Sequence, residues 1–407
     1  MIIPRRVIKF YPGFFRDMAR ILMGIQTLYE GQVRSFEAAV ANYSGVKFAA
    51  ATASGREALK LILKALKLSE GDEVIMPAYT LLDLARMVRG LKLRPVFVDV
   101  DVSNMNMAPA LIREKITSRT RVIVATHLFG LPCDIEQICQ LAQEHGVVVV
   151  EDCAHALGAK IGQRPVGMFG QAAFFSFSVG KQVNTFGGGM VVSNDAQLIA
   201  SIRQDLGQRK TGYIKVIFLI LLAVLEKVYV RSWFFRFSLR SRKRQSALIA
   251  LYRRIKRTAR SKNGRFSSLQ AYIGNKQLGS LEEALRSREN TAQILREKLK
   301  GRFDLQQIGQ GRISSNYFFI IRPKNKMQTG YWVERFIKAG IDVGTRGEIM
   351  GHCPRFFGEP TGQYPATDIL EENNIQIPFY EGLSEQQIRY IVSIANGEIP
   401  GGEMSGQ

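Results

Sequence analysis

Three short stretches of this chain carry side chains whose types and spacing can do chemistry. The first is Ser54, Gly55, Arg56 and Glu57. Ser54 and Glu57 have the spacing of a capping box, and an apolar-periodic helix follows over 57–68. A helix N-terminus beside a glycine offers free backbone N–H groups and the positive end of the helix dipole, which suits a phosphate. Most such boxes only cap a helix. The second stretch is EDCAH, Glu151 to His155, directly after Val147–Val150. If that run is a strand, Asp152 lies at its carboxyl end, where open α/β sheets bind ligands. A carboxylate there can hold a protonated ring nitrogen, although an acid at a strand end is as often plain surface. The third is FFSFSVGK, Phe174 to Lys181, followed by Gly187, Gly188 and Gly189. A lysine just beyond a buried strand can lose part of its hydration and become an amine nucleophile for a Schiff base. A lone lysine is usually a solvated charge. Taken together, the three stretches supply a phosphate cradle, a pyridinium partner and an amine, which are the needs of pyridoxal phosphate.

These side chains require a scaffold, and the pattern between 46 and 206 provides one. Short apolar runs at 73–76, 95–100, 121–126, 147–152, 172–177 and 189–193 read as strands. Several are continuous Val/Ile runs, as in strands buried on both faces. Helical segments such as 57–68 and 134–146 lie between them, the latter stopping at Gly146. The alternation predicts a mainly parallel sheet covered by helices. Beyond 263 the chain predicts helices over much of 267–310, a strand at 317–322, a helix over 330–340 and a terminal helix at 384–397 capped by Ser384. That segment reads as a smaller α+β domain.

Composition sets the limits. A chain of 407 residues with 46% hydrophobic and 22% charged residues is not a disordered protein. Four cysteines in such a length are no disulfide scaffold, and none has zinc-site spacing, so no metal is expected. The N-terminal stretch MIIPRRVIKFYPGFF lacks the apolar run of a secretory signal. A reducing, cytoplasmic setting is expected. The net charge of +21 is concentrated: residues 209–262 hold 16 Lys and Arg against one acid, Glu226. Within that segment Val216–Leu225 are ten consecutive apolar residues, about 15 Å as a helix and too short to cross a bilayer of about 30 Å. Residues 231–262 then carry twelve positive charges and no acid, mixed with Trp233, Phe234, Phe235 and Phe237. A solvated helix, a nucleic-acid surface and an anionic lipid surface all accept such charge. The apolar neighbour favours lipid over nucleic acid, with the rings near the headgroups and 14–24 as a second apolar contact.

The order and wording of the motifs add more. The stretch GDEVIMPAYT, PVFVDVD, ATHLFGLPCD, VVVVEDCAHALGA and FFSFSVGKQVNTFGGGMVVSND resembles the DegT/DnrJ/StrS family of sugar aminotransferases. The resemblance runs from about 31 to 206, resumes at NGRFSSLQAYIG (263–274) and fades toward the C-terminus. It implies a fold-type-I pyridoxal-phosphate transferase with a large α/β domain and a smaller C-terminal α+β domain. By position, Lys181 matches the lysine that carries the cofactor and Asp152 the acid on its ring nitrogen. Ser176, Gly55 and Arg56 match its phosphate site, and His155 stands near the ring and its phenolic oxygen. Asn263 matches an asparagine that reaches the cofactor phosphate of a neighbouring subunit, which implies a homodimer. Two positions depart from the pattern: Arg56 stands where threonine is common, and Leu81 where an aromatic ring often stacks. The loop 344–365 matches poorly, and its lone histidine, His352, is expected to be exposed and outside the site.

The implied reaction is amino transfer, with glutamate as donor, to a keto group of a nucleotide-linked sugar, in glycan, polysaccharide or glycosylated-metabolite biosynthesis. Two alternatives stay open. A sugar dehydratase of the same family would share the fold, but those enzymes replace the lysine with histidine, against Lys181. A membrane-associated non-catalytic homologue would tolerate the departures at Arg56 and Leu81. The expected organisation is an N-terminal arm (1–30), a large cofactor domain (31–206), an apolar and basic insertion (207–262) with peripheral membrane contact through 213–262, and connecting helices with a small domain (263–407).

Overall fold

The computed structural model describes residues 1–29, 31–209, 212–232, 235, 238–239, 264–360 and 362–398. Seven strands form the central sheet: β1 (Phe48–Thr52), β2 (Glu73–Pro77), β3 (Arg94–Val98), β4 (Thr120–Thr126), β5 (Val148–Asp152), β6 (Ala172–Ser176) and β7 (Gly189–Ser193). Their order across the sheet is β1-β7-β6-β5-β4-β2-β3. Only β7 runs against its neighbours; the pairs β6–β5, β5–β4, β4–β2 and β2–β3 are parallel. The mainly parallel sheet expected from the apolar runs is present. The sequence reading passed over β1, whose Phe-Ala-Ala-Ala-Thr is short and poor in β-branched residues.

The continuous apolar runs follow from burial on both faces. Val74, Met76, Val122, Val124 and Val150 enter one core, with Leu59 and Ile62 of the Gly55–Ala65 helix. Their neighbours Ile75, Ile123 and Val149 point the other way, against Ile135 and Ile138 of the Ile135–Glu144 helix. Successive strand residues face opposite sides, so both alternating sets must be apolar.

Beyond the sheet, the helices Ser268–Leu278 and Leu281–Leu299 lead to a three-stranded antiparallel sheet. Its strands are β8 (Phe303–Leu305), β9 (Phe319–Pro323) and β10 (Ile375–Ile377), in the order β8-β9-β10. Phe303, Ile321, Phe336, Ile375 and Ile391 form their own buried cluster there. The Glu385–Ala395 helix begins at Ser384, the cap that the sequence predicts, and Gln387 completes a capping box there.

The apolar run of the insertion is part of a longer helix, Tyr213–Arg231. Val216, Leu219, Ile220 and Ala223 bury one face against Ile8, Phe14, Phe186 and Ile273. No helix among the described residues is long and apolar enough to cross a membrane. Of the four aromatic residues expected near headgroups, Phe235 is buried and meets Tyr229 edge-on at 5.7 Å, which corrects that expectation for this ring. Trp233, Phe234 and Phe237 lie outside the described residues.

Candidate active site

The topology brings the three sequence motifs to one edge of the sheet. Asp152 ends β5, Ser176 ends β6 and Thr126 ends β4. The turn after β1 starts the Gly55–Ala65 helix. In register, Gly189 pairs with Thr52 on one side and Ser176 on the other. The approach here is so close that a Cβ on Gly189 would lie 2.5 Å from the Gly55 nitrogen. Gly189 is therefore fixed by packing, as a glycine inside a strand often is.

Ser54 caps the helix as expected, accepting the Glu57 N–H at 3.2 Å. The Gly55 and Arg56 N–H groups precede the first intrahelical bond and line the cavity described below. A Cβ on Gly55 would meet the Ser176 Cβ at 3.1 Å and the Phe175 carbonyl oxygen at 3.3 Å. The bare glycine lets the helix end sit against Ser176, whose hydroxyl donates to Ser178 Oγ at 3.3 Å. The helix start, two hydroxyls and a helix dipole converge in this corner, the donor set of a phosphate cradle. The Arg56 guanidinium is held in an ion pair with Asp83, which lines the same cavity.

One cavity of about 340 Å³ joins this corner to Asp152, His155 and Lys181. Asp152 is 6% exposed, and its Oδ1 accepts the Ala154 N–H at 2.9 Å. Burial pushes its carboxyl above the usual carboxylate range, while the Ala154 N–H and the Lys181 charge oppose that rise. A cationic N–H donor placed against it would relieve the desolvation. The Lys181 ammonium lies 4.3 Å from the Tyr317 ring centroid. The His155 ring stacks on Tyr317, with centroids 4.2 Å apart at 21°. Burial, and then the Lys181 charge, hold His155 well below its ordinary pKa, so the imidazole is neutral. The His155 backbone is pinned: its carbonyl accepts Ser315 Oγ at 2.9 Å and Gln182 Nε2 at 3.2 Å.

Beneath this layer His127, Glu151 and Cys153 cluster in the core. Glu151 is already occupied by His127 Nε2 at 3.0 Å and by the Gly167, Phe169 and Gly170 N–H groups, each at 2.8 Å. His127 Nδ1 accepts the Cys133 N–H at 3.1 Å. This network ties β4, β5 and the following loops together under the site.

The expected residues Lys181, Asp152, Gly55, Arg56, His155 and Ser176 thus line one cavity. Asn263 lies outside the described residues. Leu81 lines the cavity without a ring, and the aromatic surface comes from Phe174, Tyr317, Phe318 and His155. Sequence reasoning missed Tyr317, which carried no signal beyond its place at the start of an apolar run. It also missed Arg265, although that residue stands two beyond Asn263 in a matching block. Lys215, Val216 and Leu219 of the insertion helix line the same cavity, a contact that nothing in a linear reading announces. His352 is buried, 1% exposed, not exposed as expected. The reason is a short strand, Gly351–His352, that pairs with Tyr79–Thr80 and turns the ring inward.

A phosphate cradle, a buried carboxylate and an amine around one cavity fit a phosphorylated pyridine aldehyde. Comparison with known proteins agrees. The chain is 31% identical over 390 residues to the UDP-N-acetyl-3-dehydro-alpha-D-glucosamine 3-aminotransferase of Acidithiobacillus ferrooxidans, covering 94% of this chain and 93% of that protein. It is 26% identical over 384 residues to the dTDP-3-amino-3,6-dideoxy-alpha-D-galactopyranose transaminase of Aneurinibacillus thermoaerophilus, covering 93% of each. Among solved structures, DesV of S. venezuelae superposes with a TM-score of 0.74 at 25% identity, over 94% of this chain and 93% of that one. The putative sugar aminotransferase Spr1654 of Streptococcus pneumoniae shares the fold, with a TM-score of 0.79 at 19% identity over 98% of both chains. The profile of the DegT/DnrJ/EryC1/StrS aminotransferase family matches residues 15–395, and the chain belongs to that family of pyridoxal-phosphate enzymes.

Proposed function

We propose that the protein moves an amino group from glutamate to a keto group of a nucleotide-linked sugar. The observation that carries this reading is the shared cavity of Lys181, Asp152 and the Gly55 helix end. The substrate class is drawn from the relatives, whose names specify UDP- and dTDP-linked amino sugars. Pyridoxal phosphate, when bound, supplies an aldehyde for the amino group and a ring that accepts an electron pair. The Gly55 and Arg56 amides and Ser176 Oγ would hold its phosphate. An Asp152 carboxylate oxygen would keep the ring nitrogen protonated. Lys181 Nζ would hold the aldehyde and would serve as the base for the proton on the donor's α-carbon. His155, held neutral, would add no charge beside the ring.

The account includes a homodimer in which Asn263 reaches the partner's cofactor phosphate. Lys181→Ala and Asn263→Ala variants are each expected to be inactive. Mixing them under conditions of subunit exchange should restore part of the activity, because one of the two sites in a hybrid dimer is intact. Two inactive parents with proven exchange and no rescue would place Asn263 in its own subunit's site.

The account also includes peripheral contact with an anionic membrane on the cytoplasmic face. The outward side of the Tyr213–Arg231 helix carries Ile214, Phe218, Leu221, Leu225 and Val228, all exposed. The Phe14–Leu22 helix, which shares its core cluster, exposes Phe15 and Leu22. Apolar surface of this extent marks a docking face, and twelve positive charges over 231–262 select anionic lipid as its partner. Full-length protein should float with anionic liposomes, and a 213–262 deletion should not. Protein that ignores anionic liposomes at low salt contradicts this part of the account.

A further inference from the structure

The inward face of the Tyr213–Arg231 helix changes character along its length. Val216, Leu219, Ile220 and Ala223 are buried in a core cluster. The same stripe, continued at helical spacing, holds Lys227, Val230 and Arg231. These do not enter a core. They line a cavity of about 460 Å³ that is closed by residues 2–10 of the N-terminal segment and the loop 380–382.

Two cations in this lining, Lys227 partly buried and Arg231 exposed at the helix end, need a reason. Solubility needs charge on the outward face, and here the outward face is apolar. The Lys227 ammonium lies 4.8 Å from the Phe10 ring centroid. Among the described residues neither Lys227 nor Arg231 has an ion-pair partner. Burial and the charge of Arg231 both push Lys227 below its ordinary pKa, and the two cations stand one turn apart on the same helix. Lys9 also lines the cavity, paired with Glu381. Glu381 is further engaged by Arg288 at 3.7 Å, which leaves the Lys227 and Arg231 charges uncompensated. Tyr380 and Gln387 add neutral polar groups to the lining, and Ile2, Val7 and Ile8 give it an apolar wall.

We propose that this cavity is a binding site for a phosphate group attached to an apolar moiety, held by Lys227 and Arg231. A dianion matches the two uncompensated charges. The guanidinium fork of Arg231 and the point charge of Lys227 are the usual pair for phosphate oxygens. A volume of this size exceeds what a bare phosphate fills and lies in the range of small-molecule pockets. The site is separate from the cofactor cavity: Lys227, Arg231, Lys9 and Glu381 are absent from the lining of that cavity. It stands whether or not the proposed reaction is correct. The same chemistry is offered by a phospholipid headgroup and by a free phosphate compound.

Calorimetric titration of the cofactor-loaded enzyme at fixed ionic strength separates these cases. The probes are inorganic phosphate and monomeric dihexanoyl phosphatidate. Wild type should bind at least one of them saturably. The Lys227→Met/Arg231→Gln variant should bind it at least about tenfold more weakly, a loss of about 1.4 kcal/mol, with an unchanged cofactor spectrum. Phosphatidate binding tighter than phosphate supports a lipid source, and equal affinity overturns the apolar part of the proposal. If the double variant fails to fold, Arg231→Gln alone, at an exposed side chain, carries the same test. Equal binding by wild type and variant, or no binding of either probe to wild type at millimolar concentration, overturns the proposal.

Discussion

Lys181→Ala is expected to abolish amino transfer, a loss of about 10⁴-fold or more, and to remove the visible absorbance of the bound cofactor. Lys181 faces a cavity whose other walls supply a phosphate cradle and a buried acid. Its ammonium is held near Tyr317, and it lies close enough to Asp152 and His155 to act on the charge of both. Alanine removes both the amine that binds the aldehyde and the base that moves the proton, so two functions are lost at once. The fold should survive, because the side chain projects into a cavity and not into a core. Borohydride treatment of wild-type enzyme should fix the cofactor to Lys181, and peptide mapping should find no label elsewhere. Normal turnover by the variant, or label at Lys160 or Lys210, contradicts the assignment.

Asp152→Asn is expected to slow amino transfer by about 10²- to 10⁴-fold while the cofactor still binds. An amide cannot hold a proton on the ring nitrogen, and the ring then accepts an electron pair poorly. The stability of the cofactor-free protein should move the other way. Burial raises the Asp152 pKa in the folded state, so the native protein holds that proton more tightly than the unfolded chain does. Any stability linked to the protonated form is present below the ordinary carboxylate pKa and is lost as pH rises through the folded value. At neutral pH the charged, desolvated carboxylate therefore destabilises the empty fold. The Asn variant, free of cofactor, should melt at the same temperature as wild type or higher at pH 7, and the gap should close in acid. A lower melting temperature across the whole pH range would mean that Asp152 serves the fold more than the chemistry. Such opposition of stability and activity is common at catalytic sites.

The large sheet was legible because strands buried on both faces leave unbroken Val and Ile runs. β4, β5 and β7 declare themselves in that way. β1 did not, since its alanines are chosen for close packing against helices and carry no strand signal. The helix stops at Gly146 and Gly340 were readable because both glycines adopt positive φ, +65° and +80°. The cofactor corner was legible for a different reason. A phosphate, a ring nitrogen and an aldehyde each constrain one residue type, and each of the three sits beside a readable strand or helix start, although Gly55 lies 97 residues before Asp152 and Lys181 lies 29 after it. Tyr317 and Phe318 were illegible because they reach the cavity from the far side of the fold, at the start of β9, and an aromatic there reads as core. His352 was misread because its burial depends on a two-residue strand pairing with Tyr79–Thr80, a contact between segments more than 250 residues apart. The insertion was readable as apolar and basic. That its helix touches the cofactor cavity through Lys215, Val216 and Leu219 is a tertiary fact with no periodic signature.

The central claim is amino transfer onto a nucleotide-linked keto sugar, and two half-reactions test it directly. Purified enzyme loaded with pyridoxal phosphate is given glutamate, and the cofactor spectrum is followed. A panel of keto-sugar nucleotides is then added to the aminated enzyme after removal of free donor. The account predicts that glutamate removes the visible band and that a keto-sugar nucleotide restores it, with an equivalent of amino sugar formed. A band unmoved by glutamate, or one restored by 2-oxo acids but by no keto-sugar nucleotide, contradicts the account.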